Sequence, residues 1–241
     1  MRIEGVFPIS NYKTHLKHKN IVKCLEIKPK VLFQENEYHL SILEYVNASK
    51  FYQSLNKIKE QHFTFVSEFF KAISYLHDNN IIHGDIKSDN ILVKQENNQL
   101  YPVVMDYSTF FAEGGQKAVT PEYLAPEYHE GFSKQTDIWA MGCLLFEIFN
   151  NKHPFGSRKE GLTLNQIIAN SKSKPLEITL QQIPEPYRKI IVKSLQKDCQ
   201  KRYKTVHEMM IDLNKKSTLF TRAKAYLLYL EKAITGNLII K

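Results

Sequence analysis

The run His83-Gly84-Asp85-Ile86-Lys87-Ser88-Asp89-Asn90 brings an acid, a lysine and an amide together within eight residues. One short loop could therefore hold a general base at Asp85, a phosphate-facing cation at Lys87 and a metal ligand at Asn90. This combination suits phosphoryl transfer, in which catalysis consists mostly of positioning and charge neutralisation. The alternative is a helix-to-strand connection whose Asp and Asn side chains bond only the local backbone.

Further blocks follow downstream in a fixed order. Val103-Val104-Met105-Asp106 is typical of a short buried strand that ends in an acid, so Asp106 is a second candidate metal ligand near Asn90. The next blocks are Thr120-Pro121-Glu122-Tyr123-Leu124-Ala125-Pro126-Glu127, Thr136-Asp137-Ile138-Trp139-Ala140-Met141-Gly142 and Leu195-Gln196-Lys197-Asp198-Cys199-Gln200-Lys201-Arg202. In this order and at these separations, residues 14 to 214 resemble the eukaryotic protein kinase family.

The resemblance implies a role for each polar group of the first run. Asp85 is similar to the family's catalytic-loop base, and Lys87 to the loop lysine of serine/threonine-type members, which steadies charge on the transferring phosphoryl group. Asn90 and Asp106 match the ligands of a magnesium ion, a cation that prefers hard oxygen ligands. The implied cofactors are ATP and Mg²⁺.

The same resemblance implies the surroundings of the nucleotide and of the substrate. Glu44 and Val46 match the hinge whose backbone meets adenine, and Leu92 matches the apolar floor beneath the base. The alternative for these three residues is plain core packing at strand ends. Thr120 matches the threonine of the substrate-binding segment, although Val119 replaces the usual glycine.

Three charged residues match structural positions of the family. The acid at Asp137 is expected to bond the backbone of the catalytic loop. Glu127 is expected to pair with Arg202. Loss of one partner of such a buried pair would be costly, because it leaves a charge without compensation.

We expect an α+β fold that is protein-kinase-like, with a truncated N-lobe and a mainly helical C-lobe. The N-lobe remnant, residues 1–46, would contain a helix end and a two-stranded antiparallel pair. The kinase C-lobe would occupy residues 47–216, and a C-terminal helical extension residues 217–241. The predicted strands are Ile21–Ile27, Tyr38–Tyr45, Ile91–Val93 and Tyr101–Met105, and the predicted helices are the end Leu16–Asn20, a long helix from Phe63 to Leu76, Gln135–Asn150, Thr163–Ala169, Tyr187–Leu195 and Thr205–Asn214.

The largest departure from the family concerns the roof of the ATP site. The sequence contains no Gly-x-Gly-x-x-Gly and no Val-Ala-Ile-Lys-like strand to supply the lysine that pairs the α/β-phosphates. Only seventeen residues precede His18, at the turn where a full kinase has roughly sixty. Two strands alone form a marginal sheet with an open edge that invites another strand. Three alternatives follow: the chain is a shortened product of a real kinase, a partner completes the sheet, or the chain no longer catalyses and acts as a binding scaffold.

We therefore predict a serine/threonine-type protein kinase that acts on a protein substrate. A catalytically impaired pseudokinase that serves as a scaffold is the alternative, and a small-molecule phosphotransferase is less favoured because the segment at 120–127 resembles a peptide-substrate loop.

Composition limits the remaining functions. The net charge of +8 is concentrated in residues 186–241, but no nucleic-acid motif accompanies it, so solvated helix surfaces explain it better than a nucleic-acid partner does. The three cysteines are widely spaced, which favours reduced thiols over a zinc site. We expect a cytoplasmic protein because no signal peptide or membrane span is visible.

Overall fold

The structure is a computed structural model that describes residues 13–33, 36–107, 120–176 and 183–215, with the backbone alone for 29–33 and 36–40. The predicted extension over 217–241, and Val119 beside Thr120, lie outside these residues.

The segment before the first strand consists of turns. Leu16 N–H donates to Lys13 O and Ile21 N–H to His18 O, each spanning fewer residues than an α-helical bond, so the predicted helix end at Leu16–Asn20 is wrong. The reason lies in pairing with a later strand. Asn20 O accepts from Val104 N–H at 2.8 Å and Val22 N–H donates to Val104 O at 2.9 Å, which requires an extended backbone.

An antiparallel pair follows, as predicted, with different bounds. Strand β1 spans Cys24–Phe33 and β2 spans Asn36–Leu43, with Cys24 opposite Leu43. The register shifts between Lys28 and Val31. Pro29 lies in this interval and has no N–H to give to the ladder, which accounts for the irregularity.

A second sheet of three strands carries the predicted hairpin. Its order is β3 (Ser49–Lys50), β4 (Ile91–Glu96) and β5 (Gln99–Val104), all antiparallel. Asn97 and Asn98 form the turn between β4 and β5, both with positive φ, as a two-residue hairpin turn requires.

The helices follow the predicted periodicity closely. They are α1 (Phe51–Glu60), α2 (His62–Asp78), α3 (Lys134–Asn150), α4 (Leu164–Ser173), α5 (Tyr187–Ser194) and α6 (206–215). Helix α1 was not predicted, although its buried Phe51, Ser54 and Ile58 recur at helical spacing. Helix α4 continues to Ser173, beyond the predicted end at Ala169.

The core lies around α2 and α3. Helix α3 buries thirteen of its seventeen residues, as expected for a helix that is apolar on all sides. Helix α2 packs its apolar stripe, including Phe65, Phe69 and Ile73, into the same core. The predicted fold class is confirmed: a small sheet-bearing part precedes a mainly helical part. Within the described ranges, no helix has both the length and the apolar character needed to cross a bilayer.

Candidate active site

The end of α2 delivers the chain to the loop at 83–90. Asn80 adopts positive φ, its N–H donates to His77 O, and Ile81 N–H donates back to Leu76 O at 2.9 Å. This is the hydrogen-bond pattern of a Schellman motif, which ends a helix sharply. The chain therefore turns at once into the extended residues before Asp85.

Asp137 fixes the backbone of this loop. Its Oδ2 accepts from His83 N–H at 2.8 Å, and its Oδ1 accepts from Gly84 N–H at 2.9 Å. His77 Nε2 lies 2.8 Å from Oδ2. Because Asp137 is 1% exposed and sits in the first turn of α3, the helix N-terminus also favours its negative charge.

His83 is part of the same buried arrangement. Burial lowers the pKa of its imidazole below the usual 6.5, although the nearby carboxylates of Asp137 and Asp85 act in the opposite direction. Its Nδ1 lies 3.3 Å from the backbone N of Asp85, which suits a neutral ring accepting from that N–H. The loop is thus held on both sides of Gly84 by hydrogen bonds to its backbone.

Four of the sequence-predicted site residues meet around this loop. Lys87 Nζ lies 2.9 Å from Asp85 Oδ2 and donates to Thr120 Oγ1 at 3.1 Å. Asn90 Nδ2 donates to Asp85 Oδ2 at 3.0 Å and to Asp85 O at 2.8 Å. The acid, the cation and the amide therefore form one hydrogen-bonded set, and the lysine joins it to the predicted substrate-binding segment at Thr120.

Asn90 and Asp106 lie at the same end of the β4–β5 hairpin. Met105 N–H donates to Asn90 O at 3.0 Å, which places Asp106 one residue beyond this pairing. Asp106 has φ +56°, a left-handed conformation that is costly for a non-glycine residue and is concentrated at functional sites. Because Asn90 Nδ2 is directed to Asp85, its amide oxygen is the atom suited to a hard cation.

The residues predicted to meet the nucleotide base lie where the chain leaves β2 and where β4 begins. Glu44 N–H donates to Lys23 O at 2.9 Å, and its Oε1 accepts from Lys23 N–H at 2.9 Å. Val46 and Leu92 are partly buried against the core. Leu92 lies on the face of β4 opposite the buried Ile91 and Val93, as the alternation of a strand requires.

Glu127 and Arg202 form the predicted ion pair. Arg202 donates from both terminal nitrogens to the two carboxylate oxygens, at 2.6 and 2.8 Å. The guanidinium also donates to three backbone carbonyls and lies 4.8 Å above the Trp139 ring. These partners satisfy a side chain that is fully buried, so the pair joins the predicted substrate-binding segment to the helical core.

A small cleft opens beside Asp85. Its walls come from the loop at Gly84, from the segment at Thr120 and Leu124, and from Phe132 before α3. The cleft therefore lies next to Asp85 and Thr120, the two residues that Lys87 joins.

Sequence reasoning missed the contribution of His77. The signal was a polar side chain on the apolar face of α2, directly after the core residue Leu76. Sequence alone does not show that its partner is Asp137, sixty residues later.

Comparison with known proteins agrees with this geometry. The family profile described as Protein kinase domain matches residues 10–212. The chain is a member of the protein kinase family. Its relatives indicate the eukaryotic-type serine/threonine branch.

Three relatives show how much of a longer protein this kinase matches. It is 30% identical over 173 residues to the inhibitor of nuclear factor kappa-B kinase subunit alpha of Gallus gallus, covering 66% of this chain and 23% of the relative. It is 29% identical over 219 residues to the serine/threonine-protein kinase sgk-1 of Caenorhabditis elegans, covering 79% and 45%. It is 26% identical over 229 residues to the probable serine/threonine-protein kinase PknB of Lactococcus lactis, covering 89% and 35%. The kinase thus spans less than half the length of each of these relatives.

Proposed function

We propose that this kinase transfers the γ-phosphoryl group of ATP to serine or threonine hydroxyls of a protein substrate. The observation that carries the proposal is the position of Lys87 Nζ, in contact with both Asp85 Oδ2 and Thr120 Oγ1. A cation shared by the acid and the substrate segment lies where negative charge would develop during transfer. The same proposal divides the chain at the hinge, so that the N-lobe remnant ends at residue 46 and the kinase C-lobe follows it.

Each residue has a distinct task in this proposal. Asp85 orients the substrate hydroxyl and accepts its proton, while Lys87 stabilises charge on the moving phosphoryl group. Asn90 holds Asp85 in place through Nδ2 and offers its amide oxygen to the cation together with Asp106. Thr120 keeps Lys87 directed at the site.

The donor set fits the implied cofactors. Asn90 and Asp106 offer only hard oxygen atoms, which suits Mg²⁺, an ion that also retains waters and nucleotide phosphates as ligands. Glu44 and Val46 would present backbone groups to adenine, and Leu92 would pack beneath it. When bound, Mg·ATP supplies the transferable phosphoryl group and the charge of the metal.

Substitution of Asp85 tests the proposal. Asp85→Asn keeps the shape and the contact with Asn90 but removes the base, so we expect the rate of phosphoryl transfer to fall by at least about 100-fold. Mg·ATP binding, measured by calorimetry, should change little. Asp89→Asn is the matched control, because Asp89 is an exposed acid in the same loop. Equal activity of Asp85→Asn and Asp89→Asn would contradict the role of Asp85.

The scaffold alternative is favoured by two sequence observations, the absence of a Gly-x-Gly-x-x-Gly and the absence of the strand lysine that pairs the nucleotide phosphates. Thermal unfolding with and without millimolar Mg·ATP separates the two functions, because a ligand that binds only the folded state raises the unfolding temperature. We expect a rise that Asp106→Asn reduces. No rise in the wild-type chain would favour the scaffold, as would a rise produced only by a protein strand that completes the β1–β2 sheet.

A further inference from the structure

The catalytic loop contains a buried hydroxyl that the roles above do not use. Ser88 is 2% exposed, between Lys87 and Asn90 on the sequence. Its Oγ donates to Tyr52 OH at 2.7 Å and lies 3.0 Å from Tyr123 OH, and its backbone N–H donates to Tyr123 OH at 3.4 Å. Ser88 therefore provides one donor to each of two phenol oxygens.

Both phenols direct their protons to one carboxylate. Tyr52 OH donates to Glu147 Oε1 at 2.6 Å, and Tyr123 OH donates to Glu147 Oε2. Burial raises the pKa of Tyr52 to about 12 and holds the pKa of Tyr123 well above its usual value, so both phenols remain protonated donors at neutral pH. Hydrogen bonds to a charged acceptor are stronger than neutral ones, and Glu147 is only 2% exposed.

The network joins four parts of the kinase. Tyr52 comes from α1, Ser88 from the catalytic loop, Tyr123 from the turn directly after Thr120, and Glu147 from the buried α3. Lys87 and Thr120 are in direct contact across the site. Lys87 directly precedes Ser88, and Thr120 directly precedes the turn that contains Tyr123. The separation of loop and substrate segment is therefore fixed at Glu147 as well as at the Lys87–Thr120 contact.

The geometry points to Ser88 and Tyr52 as positioning residues for phosphoryl transfer. Through the carboxylate of Glu147 they hold the catalytic loop and the substrate-binding segment at one separation, and neither residue touches the reacting groups itself. This inference rests on the proposed function, and it predicts that the turnover step depends on two hydroxyls outside the site.

Two substitutions that remove single hydroxyl groups test the inference. Tyr52→Phe deletes the phenol oxygen at little packing cost, because the ring is retained and the residue is 42% exposed, and Ser88→Ala deletes the loop donor. The controls are Tyr203→Phe, which removes a buried phenol bonded to Asp212, and Ser54→Ala, which removes a buried hydroxyl bonded to Ser49. All proteins are assayed with Mg·ATP and an acceptor protein at a temperature where each is folded.

We expect kcat to fall by about ten-fold in Tyr52→Phe and in Ser88→Ala, as the loss of one charge-linked hydrogen bond allows, with KM for ATP nearly unchanged. The controls should keep the wild-type kcat even if they unfold at lower temperature. A merely structural role would lower the unfolding temperature in all four variants without this selective effect on kcat. Equal kcat values in test and control variants would overturn the inference.

Amide hydrogen exchange separates failure of this inference from failure of the proposed function. If the wild-type chain transfers no phosphoryl group, the proposed function fails, but the network still predicts faster exchange at residues 85–90 and 120–125 in Tyr52→Phe and Ser88→Ala than in the controls. Unchanged exchange in both segments would overturn the positioning role independently of activity.

Discussion

The two oxygens of Asp137 direct the backbone that leads to the proposed base. They accept from two consecutive N–H groups, at His83 and Gly84, and contact the ring of His77, while the side chain is almost completely buried. Because the site is buried, water could not take the place of these carboxylate oxygens as hydrogen-bond acceptors. The position of Asp85 therefore depends on a residue from another helix.

Asp137→Asn tests this dependence. Asparagine keeps one acceptor oxygen, but its NH2 group, a donor, would face one of the two backbone N–H donors. We therefore expect the free energy of unfolding to fall by about 3 kcal/mol and the rate of phosphoryl transfer to fall with it. Urea denaturation measures the stability. Glu130→Gln, at a side chain that is 72% exposed, should change it by less than about 0.5 kcal/mol. Similar losses in both variants would show that Asp137 has no special role.

The residues of the candidate site were predictable where their types and spacing are local. Asp85, Lys87 and Asn90 fall within one loop, and the structure brings them together with Thr120 as expected. Tyr52 gave no such signal, because its partner Glu147 is 95 residues away in sequence. A hydrogen bond between distant residues depends on tertiary packing, which local patterns do not contain.

At the scale of elements, periodicity predicted the long helices and the hairpin, whereas junctions were less predictable. The apolar stripe of α2 and the buried α3 have strong patterns. The helix expected at Leu16–Asn20 failed because Asn20 and Val22 bond to Val104 instead. Tertiary pairing outweighed local preference at this position.

The C-terminus of α4 depends on a side chain from outside the helix. Lys197 Nζ donates to the carbonyl oxygens of Asn170, Ser171 and Lys174, and it lies 4.4 Å from the centre of the Phe155 ring. Burial lowers the pKa of this ammonium group. The last carbonyls of a helix have no partners within the helix, and a cation there also interacts favourably with the dipole.

Lys197→Met should therefore loosen the end of α4. The methionine retains much of the apolar stem but none of the donors, so we expect faster amide exchange at residues 170–174 and a loss of about 2 kcal/mol in the free energy of unfolding. Lys172→Met is the matched control, because Lys172 is an exposed lysine on the same helix. The assignment would be contradicted by unchanged exchange in Lys197→Met.

Three buried or half-buried histidines connect the stability of the whole molecule to pH. Burial lowers the pKa of His18, His62 and His83 below the usual 6.5. His18 contacts the Tyr75 ring, and His62 Nδ1 lies 2.8 Å from Tyr187 OH, so the three rings belong to separate parts of the fold. The folded chain therefore favours three neutral imidazoles.

The sign of the resulting pH dependence follows from proton binding. Below pH 6.5 the unfolded chain takes up protons that the folded chain resists, so this stabilisation is complete above pH 6.5 and is lost as the pH falls further. Buried carboxylates add a loss of the same sign at lower pH. Burial acts to raise the pKa values of Glu68 and Asp212, but lysines at Glu68, and the Tyr203 hydroxyl together with lysines at Asp212, hold them below 4.5 and 3.8. Their contributions are therefore lost in a more acidic range.

The window from pH 7.5 to 5.5 therefore isolates the histidines, and we expect the free energy of unfolding from urea denaturation to fall across it. Each additional proton bound by the unfolded chain lowers the free energy of unfolding by about 1.4 kcal/mol per pH unit as the pH falls. Solvent screening makes the contributions of His18 and His62 smaller than this. His62→Asn, which retains a polar group near Nδ1, should reduce the slope below pH 6.5 and leave it unchanged between pH 7.5 and 8.5. If the free energy of unfolding of the wild-type chain stays constant or rises from pH 6.5 to 5.5, these histidines are protonated within the fold. The hydrogen bond from Asp85 N–H to a neutral His83 would then be wrong.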